Sequence, residues 1–252
     1  MMKITSMVVV LLLFAIFVAK TTTAAVIFEH LGGNDPTTEE FGAISAGGSA
    51  DPGPPASWRM TSEGALGYTS PVNTASFLDP TGWTISVTSR IFDTGDLHSA
   101  FEAGLNVEVN STGFSVMMCD LDACGGTGSG YYTQDNTGAW FQIGTADPST
   151  GFYAVQITMD PANPGFAGPD DVFKWYIDGV LEVTKLRSDL KTTNASDMAA
   201  PWGRLTAGSG TTDQAYALVK METGHHVIPE PTSAIVTGIG LIGLCGLRPQ
   251  RK

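Results

Sequence analysis

The sequence is poor in charged residues and in cysteine. Asp, Glu, Lys and Arg make up 15% of its 252 residues, against about a quarter in an average soluble protein. This low fraction argues against a highly charged disordered chain and against a coiled coil, which needs many Glu, Lys and Arg residues. The chain also lacks a Gly-x-Ser-x-Gly nucleophile elbow and a phosphate-binding loop. Its 30 glycines follow no collagen-like period, and they suit an all-β protein with many turns.

The N-terminal residues 1–25 predict a secretory signal peptide. Lys3 supplies the positive start, and residues 7–19 form an apolar run within the usual length of about 7–15 residues. Thr23 and Ala25 are small residues at the −3 and −1 positions, so cleavage is expected between Ala25 and Val26. As a helix the run would span about 20 Å, which is too short for a membrane core of roughly 30 Å. An uncleaved anchor is the alternative.

The C-terminal residues predict a second targeting signal. We call this signal and the predicted signal peptide the two addresses. The motif Pro229-Glu230-Pro231 stays extended, because proline can neither continue a helix nor donate to a sheet. Residues 234–247 follow as an apolar run that contains glycines and would be about 21 Å long as a helix. A basic cluster ends the chain: Arg248, Arg251 and Lys252. The positive-inside rule keeps such a cluster cytoplasmic and leaves the rest of the chain outside.

This order of motif, apolar run and basic end closely resembles the PEP-CTERM sorting signal of exported bacterial proteins. The resemblance implies an exosortase-like membrane protease as a partner, which removes the tail near the Pro-Glu-Pro motif. It also implies transient anchoring by the C-terminal helix, and then release to the outer surface or the extracellular matrix. The family is associated with bacteria that make extracellular polysaccharide, which is therefore a second expected partner. A chance hydrophobic C-terminus is the alternative.

Between the two addresses, residues 26–224 predict one domain, and residues 225–252 predict a linker plus the sorting signal. The domain has eight Lys and Arg residues against 24 Asp and Glu residues, a net charge of −16. An acidic body repels nucleic acid and anionic lipid. We therefore expect no nucleic-acid partner, but neutral or cationic partners or calcium. No other cofactor is expected.

Hydrophobic periodicity predicts an all-β domain. Residues 83–91, 153–159, 173–177 and 215–221 each alternate apolar with polar positions, as half-buried strands do. In the last of these segments the inward positions are expected to be Ala215, Ala217, Val219 and Met221. Asp178-Gly179 lies between two apolar runs and indicates a hairpin with a type I′ turn. Many strands with one polar face each predict an antiparallel sandwich or barrel.

The stretch from Phe173 to Val183, Phe-Lys-Trp-Tyr-Ile-Asp-Gly-Val-Leu-Glu-Val, resembles the late hairpin of concanavalin A-like and laminin-G-like jelly rolls. The stretch from Trp202 to Glu222 resembles the end of that fold, where the last strand returns beside the first. The resemblance implies an antiparallel jelly-roll β-sandwich of the lectin and glucanase type, with residues 26–30 as its first strand. An N-terminal signal helix and a short C-terminal hydrophobic helix would flank it.

Few residues suggest catalysis. Laminarinase-type glucanases of this fold carry their carboxylates as Glu-x-Asp-x-x-Glu, and no Glu-x-Asp occurs in this sequence. The nearest pattern is Asp120-Leu121-Asp122, for which catalysis, calcium binding and a solvated loop all remain open. We therefore assign no catalytic residue and no metal site. Cys119 and Cys124 flank this pattern and are candidates for a local disulfide, since exported proteins meet oxidising conditions.

Aromatic residues in or near loops are the remaining functional signal. Sugars stack on aromatic rings because their C–H faces are apolar, so Tyr131, Tyr132 and Trp140 are candidates for glycan stacking, with loop packing as the alternative. Trp83, Trp175 and Trp202 have the phase of core residues. The expected function is a non-enzymatic surface or matrix protein that binds glycan or adheres within extracellular polysaccharide. The alternative is a glycoside hydrolase of the laminarinase-type jelly-roll class.

Overall fold

The computed structural model describes residues 24–62, 66–70, 81–93, 103–109, 112–119, 130–161, 170–192, 201–204 and 212–224. In these ranges the chain forms β-strands and two short 3-10 turns, Pro36–Glu39 and Arg187–Asp189. The strands are β1 (Val26–Leu31), β2 (Gly42–Ser45), β3 (Ser49–Asp51), β4 (Ser57–Ser62), β5 (Leu66–Thr69), β6 (Trp83–Asp93), β7 (Ala103–Val109), β8 (Thr112–Cys119), β9 (Gly130–Gln134), β10 (Trp140–Ile143), β11 (Tyr153–Asp160), β12 (Val172–Ile177), β13 (Val180–Leu186), β14 (Lys191–Thr192), β15 (Pro201–Arg204) and β16 (Thr212–Thr223).

The described strands form two sheets, and every pairing between them is antiparallel. Sheet A has the order β13-β12-β11-β6-β16-β4-β3, with β1 also paired to β16. Sheet B has the order β10-β9-β8-β7-β15-β5-β2, with β14 paired to β8. The prediction of an all-β antiparallel sandwich is therefore confirmed. The predicted signal helix and C-terminal hydrophobic helix lie outside the described residues, and no helix among the described residues has the length and apolarity to cross a bilayer.

The core lies between the two sheets and follows the alternation of the strands. On β6, β11 and β12 each inward side chain faces an inward partner on the next strand, as in the series Val87, Val155 and Ile177. Trp83, Trp175 and Trp202 are fully buried, which confirms their assignment to packing. Burying one large apolar side chain contributes about 1.5–3 kcal/mol, so these alternating segments supply much of the stability of the sandwich.

The second half of the core surrounds Trp202 on sheet B. Its ring lies 5.0 Å from the ring of His30 and 4.9 Å from the ring of Tyr216, centroid to centroid. His30 is fully buried, and its Nδ1 atom lies 2.5 Å from Oε2 of Glu39. This carboxylate also accepts a hydrogen bond from the side chain of Asn34 at 2.8 Å. A polar pair thus ties β1 to the turn that follows it.

Strand β16 differs from the predicted phase. A register shift between Tyr216 and Leu218 places an extra residue, Ala217, at a β-bulge. Tyr216 therefore joins Val219 and Met221 in the core, whereas the sequence pattern had predicted Ala215 and Ala217 as inward positions. The prediction was wrong for this half of the strand because one extra residue at a bulge reverses the alternation on either side of it.

Two further expectations are confirmed, one about the pairing of distant strands and one about a local turn. Strand β1 pairs with β16, with His30 opposite Val219, so the last strand does return beside the first. Asp178 and Gly179 both have positive φ angles, 48° and 81°, as a type I′ turn requires. This turn joins β12 to β13 and fixes the register of the edge hairpin of sheet A.

Candidate functional site

The structure removes two of the three candidate stacking residues. Tyr131 lies in the core between the sheets with no exposed surface, and its hydroxyl donates to the backbone oxygen of Ser89 at 3.0 Å. Burial raises the pKa of this hydroxyl. Tyr132 is 3% exposed. Neither ring offers a free face to a sugar, because protein atoms cover both.

Trp140 remains a candidate. It is half-buried at the start of β10, on the edge of sheet B, and pairs with Gln134 of β9. Because Tyr131 and Tyr132 are successive residues of one strand, their rings point to opposite sides of sheet B. The three aromatic residues therefore do not form one platform, and the predicted cluster is reduced to a single ring.

Most of the other predicted site residues lie outside the described residues. These are Cys124, Asp120, Asp122 and the side chain of Cys119, together with the sorting motif Pro229-Glu230-Pro231 and the basic residues Arg248, Arg251 and Lys252. The predicted cleavage point between Ala25 and Val26 lies at the start of β1. There the Ala25 amide donates to Oγ1 of Thr223 at 3.0 Å, and the Thr223 amide donates to the Ala25 oxygen at 2.9 Å.

The outer face of sheet A carries a feature that no single segment of sequence revealed. A row of polar side chains crosses five neighbouring strands at the same register. In strand order from β12 to β1 its members are Tyr176, Gln156, Ser86, Lys220 and Glu29. Directly opposite residues on one face lie about 4.5–5.5 Å apart, so the row is a continuous line of polar groups across the centre of the sheet.

A second polar row runs beside the first. Its members, again in strand order, are Lys174, Thr158, Thr84 and Glu222. We call the two rows together the polar stripe. Its central residues are nearly inaccessible: Thr84, Ser86, Gln156 and Thr158 are each 4% exposed or less. Its ends at Tyr176, Lys174 and Glu29 are half-buried, so the stripe is closed in the middle and open at its sides.

Gln156 is the central polar group of the stripe and is only partly satisfied. Its Nε2 atom donates to the Ser86 hydroxyl oxygen at 3.1 Å. Its Oε1 atom is buried and has no hydrogen-bond partner among the described residues. Rotating the amide by 180° would exchange the two atoms and leave the nitrogen without that partner instead. A buried polar group without a partner costs about 1–3 kcal/mol, so this position is suited to an added polar group.

Lys220 organises the other side of the stripe. Its Nζ atom lies 2.9 Å from Oε1 of Glu222 and 3.5 Å from Oε1 of Glu29. Burial alone would lower the pKa of this lysine, but the two carboxylates outweigh that effect and raise it. One ammonium group therefore holds two glutamates of different strands, β16 and β1, at one end of the first row.

A stack of two arginines lies further along the same face, in a row formed by Arg90, Ala215 and Arg59. The guanidinium carbons of Arg59 and Arg90 lie 4.2 Å and 4.7 Å from the centre of the Phe92 ring. Arg59 is held by a bidentate interaction with Asp213, at 2.8 Å and 2.6 Å. The hydrogen bond to this carboxylate raises the pKa of Arg59. We call Arg59, Phe92 and Arg90 the arginine stack.

The described residues contain no group of three or more His, Cys, Asp or Glu side chains that could hold a metal ion. The acidic residues of the sheet A face are instead engaged by basic side chains, as Glu29, Glu222 and Asp213 show. In the described part of the chain, the side chains of this face form hydrogen bonds, ion pairs and aromatic contacts.

No protein-family model matches the chain, and no curated protein sequence matches it. Solved structures do. A carbohydrate esterase from the Shiga toxin-encoding bacteriophage phi24B matches with a TM-score of 0.52 and 12% identity, over 80% of this chain and 99% of that chain. At this identity the likeness shows the fold alone, a β-sandwich.

Two further neighbours have lower TM-scores. The alginate lyase Aly36B matches at 0.49 with 13% identity, over 81% of this chain and 99% of that chain. A structure concerning botulinum neurotoxin type C, whose cell entry depends on two ganglioside molecules, matches at 0.49 with 15% identity over 86% of this chain. The chain spans about half the length of the neurotoxin chain, 51%.

Proposed function

We propose that this protein is an exported, non-enzymatic β-sandwich that binds a polysaccharide chain on the polar stripe of sheet A. The sandwich would be a jelly roll of the concanavalin A-like type. The single observation that carries the proposal is the half-satisfied amide of Gln156, buried in the middle of two polar rows. Support comes from the face itself, because the solved neighbours share only the fold.

A sugar suits this position better than an apolar ligand does. A hydroxyl group both donates and accepts hydrogen bonds, so a sugar hydroxyl satisfies the free amide atom of Gln156 in either orientation of the amide. The neighbouring Ser86 and Thr158 offer further hydroxyl groups in the same rows. Tyr176, half-buried at the open end, offers a ring on which a sugar face can stack. Gln156 is 3% exposed, so a ligand reaches it only when the groups that cover it move aside.

The proposal includes the two addresses of the sequence. The signal peptide would export the chain, and Pro229-Glu230-Pro231 would present it to an exosortase-like protease that leaves it at the outer surface or in the extracellular matrix. In that location an extracellular polysaccharide is at high local concentration. Weak binding along one face would then be enough to retain the protein by mass action.

A second candidate function, glycoside hydrolysis, is favoured by one observation. Glu29 and Glu222 both contact the ammonium group of Lys220, so two carboxylates lie close together beside the proposed ligand track. A retaining hydrolase needs two carboxyl groups about 5–5.5 Å apart. Release of reducing ends from a bound polymer, lost in Glu222→Gln, would establish this function in place of simple binding.

Binding is tested with the purified chain on an array of bacterial and plant polysaccharides, followed by titration of any polymer that binds. Gln156→Ala should weaken binding about threefold to tenfold, the loss of one or two hydrogen bonds. The matched control is Gln142→Ala, which removes an exposed glutamine on β10 of sheet B and should leave affinity unchanged. Absence of binding to every polymer, or equal effects of both variants, would contradict the proposal.

A further inference from the structure

The outer face of sheet A collects basic residues in an acidic domain. The domain has eight Lys and Arg residues against 24 Asp and Glu residues. Four of those eight lie on this one face: Lys174, Lys220, Arg59 and Arg90. Net charge therefore describes this surface poorly, because half of the positive charge of the domain lies on the sheet face that carries the polar stripe.

Two of the four cations are neutralised within the protein. Lys220 contacts Glu222 and Glu29. Arg59 makes its bidentate interaction with Asp213 and lies 3.9 Å from Asp51. These cations serve the sheet by joining carboxylates on neighbouring strands, and they have little capacity left for a charged ligand.

The other two cations have no carboxylate partner in the described part of the chain. Arg90 has one hydrogen bond, from Nη2 to the backbone oxygen of Ser149 at 3.4 Å, and its Nε atom is buried without a partner. Lys174 is half-buried on the middle of β12, and no carboxylate of the described residues lies within ion-pair distance of it. A charge held against apolar and neutral groups is costly unless an opposite charge joins it.

The positions of these two cations define the shape of the ligand. Lys174 aligns with Thr84 through Thr158, and Arg90 lies six residues further along β6. At about 3.3 Å per residue and 4.8 Å between strands, the two Cα atoms are roughly 20 Å apart along the strands and 10 Å across them. No single sugar reaches both. An extended chain with repeated negative charges reaches both, and it crosses the row of Gln156 between them.

We propose that the polysaccharide bound on this face is acidic and crosses the polar stripe from Lys174 to Arg90, a polymer whose sugar residues carry carboxylates or comparable anionic groups at intervals. This inference rests on the proposed function and deepens it. Lys174 and Arg90 would pair with two anionic groups, while Gln156 would bond to a hydroxyl between them. Phe92 holds the Arg90 guanidinium against the sheet by a cation–π contact, 4.7 Å to the ring centre, so the charge faces the ligand in a fixed position.

Nucleic acid is a poorer fit than a uronate polymer. The face also carries Glu29, Glu222 and Asp213, on β1 and β16, the strands beyond the strand of Arg90. A backbone with a phosphate at every residue would place negative charges next to these carboxylates as well as next to the cations. A polymer whose charges are spaced and interleaved with hydroxyl groups avoids this repulsion.

The test compares matched polymers that differ only in charge. The probes are polygalacturonate and its methyl ester, carboxymethyl cellulose and hydroxyethyl cellulose, and dextran sulfate and dextran, with poly(dT) as the nucleic-acid probe. The purified chain should bind at least one acidic polymer about threefold to tenfold more tightly than its neutral partner at about 0.1 M salt, the range expected for one or two partly exposed ion pairs. Isothermal titration or affinity electrophoresis measures the ratio.

Variants locate the effect on the face. Lys174→Gln and Arg90→Gln should each weaken binding of the acidic polymer more than binding of its neutral partner and so reduce the acidic-to-neutral ratio, while Gln156→Ala weakens both polymers alike. Lys191→Gln is the control, because Lys191 is an exposed lysine of sheet B bonded to Gln134 at 2.8 Å. Lys174→Gln keeps the test open even if Arg90→Gln lowers stability, since Lys174 forms no ion pair with any carboxylate of the described residues.

Each outcome has a distinct meaning. Equal or tighter binding of every neutral polymer, with the Gln156→Ala effect intact, overturns the acidic-ligand inference and leaves the proposed function standing. Binding of poly(dT) more tightly than any polysaccharide overturns the inference in favour of nucleic acid. Absence of binding to every polymer overturns the proposed function itself.

Discussion

At the scale of single residues, burial decides which aromatic rings are available to a ligand. Tyr131 follows the glycine-rich segment 125–130, which suggested an exposed loop. Its ring nevertheless packs between the sheets, 6.3 Å from the ring of Tyr153. The sequence cannot distinguish an aromatic residue that begins a strand from one that lies in a loop, because both follow a run of turn residues.

The buried hydroxyl of Tyr131 predicts a specific response to alkaline pH. In an unfolded chain tyrosine titrates near pH 10, whereas the folded protein keeps Tyr131 protonated above that pH because its pKa is raised. The unfolded state then binds fewer protons, so the free energy of unfolding falls as pH rises through about 10 and towards the folded pKa. Tyr131→Phe should lower the free energy of unfolding by about 1 kcal/mol at neutral pH, because the hydrogen bond is lost. Above pH 10 the free energy of unfolding of this variant should fall less steeply than that of the wild type.

Urea unfolding at pH 7, 9, 10 and 11 measures how the free energy of unfolding of the wild type and of Tyr131→Phe depends on pH. Phe173→Leu is a suitable control, because it changes a buried ring without removing a titratable group and should lower the whole curve in parallel. Identical slopes for wild type and Tyr131→Phe would contradict the role assigned to this hydroxyl.

At the scale of elements, strand β16 determines how sheet A is assembled. It pairs with β6 along most of its length, while β4 and β1 pair with its first and second halves on the other side. The bulge at Ala217 lies between those halves. It allows Tyr216 to contact Trp202 at one end, and Lys220 and Glu222 to reach the polar stripe at the other.

The β9–β10 turn offers a separate test of backbone geometry. Gly138 has a φ of +81°, and a Cβ atom there would meet nothing within 4 Å, so strain is the only expected effect of a side chain. Gly138→Ala should therefore cost about 1 kcal/mol of stability. Gly151 is equally open and has no such φ angle, so Gly151→Ala should change stability by less than about 0.5 kcal/mol or increase it. Urea unfolding of the pair compares them, and equal costs would show that φ is not the cause.

At the scale of the whole molecule, the domain and the two predicted addresses are expected to have separable roles. The sorting proposal depends on no contact within the described sandwich. The two predicted addresses in turn do not indicate which face of the sandwich binds a ligand. Export, sorting and ligand binding can therefore be perturbed one at a time.

Replacing Pro229-Glu230-Pro231 by three alanines should leave export intact and block C-terminal processing. Alanine has the highest helix propensity, so the predicted tail helix would extend through a segment that the prolines are expected to keep extended. The variant should accumulate as a membrane-bound form with its full tail, detected by fractionation and mass spectrometry of its C-terminus. The control replaces Thr232-Ser233 by alanines and should be processed normally. Wild-type processing of the three-alanine variant would refute the sorting proposal.

The sequence by itself determined the strands and their buried faces wherever the alternation was unbroken. On β6, β11 and β12 the residues predicted to be inward, such as Ile85, Ile157 and Trp175, are buried, except that Tyr153 at the start of β11 is half-buried against the core. The hairpin at Asp178-Gly179 was equally predictable, because few residues tolerate two successive positive φ angles. These features depend on local periodicity and turn chemistry, which a single segment contains in full.

Only the tertiary structure decided where the candidate site lies. Gln156, Ser86 and Lys220 are distant in sequence and become one row through the register of three strands. The sequence marked each as polar and outward, but an outward polar residue is the usual state of any strand on the surface of a sheet. The bulge in β16 and the burial of Tyr131 were also beyond prediction, because both depend on long-range pairing that brings distant strands together and that no periodicity within one strand encodes.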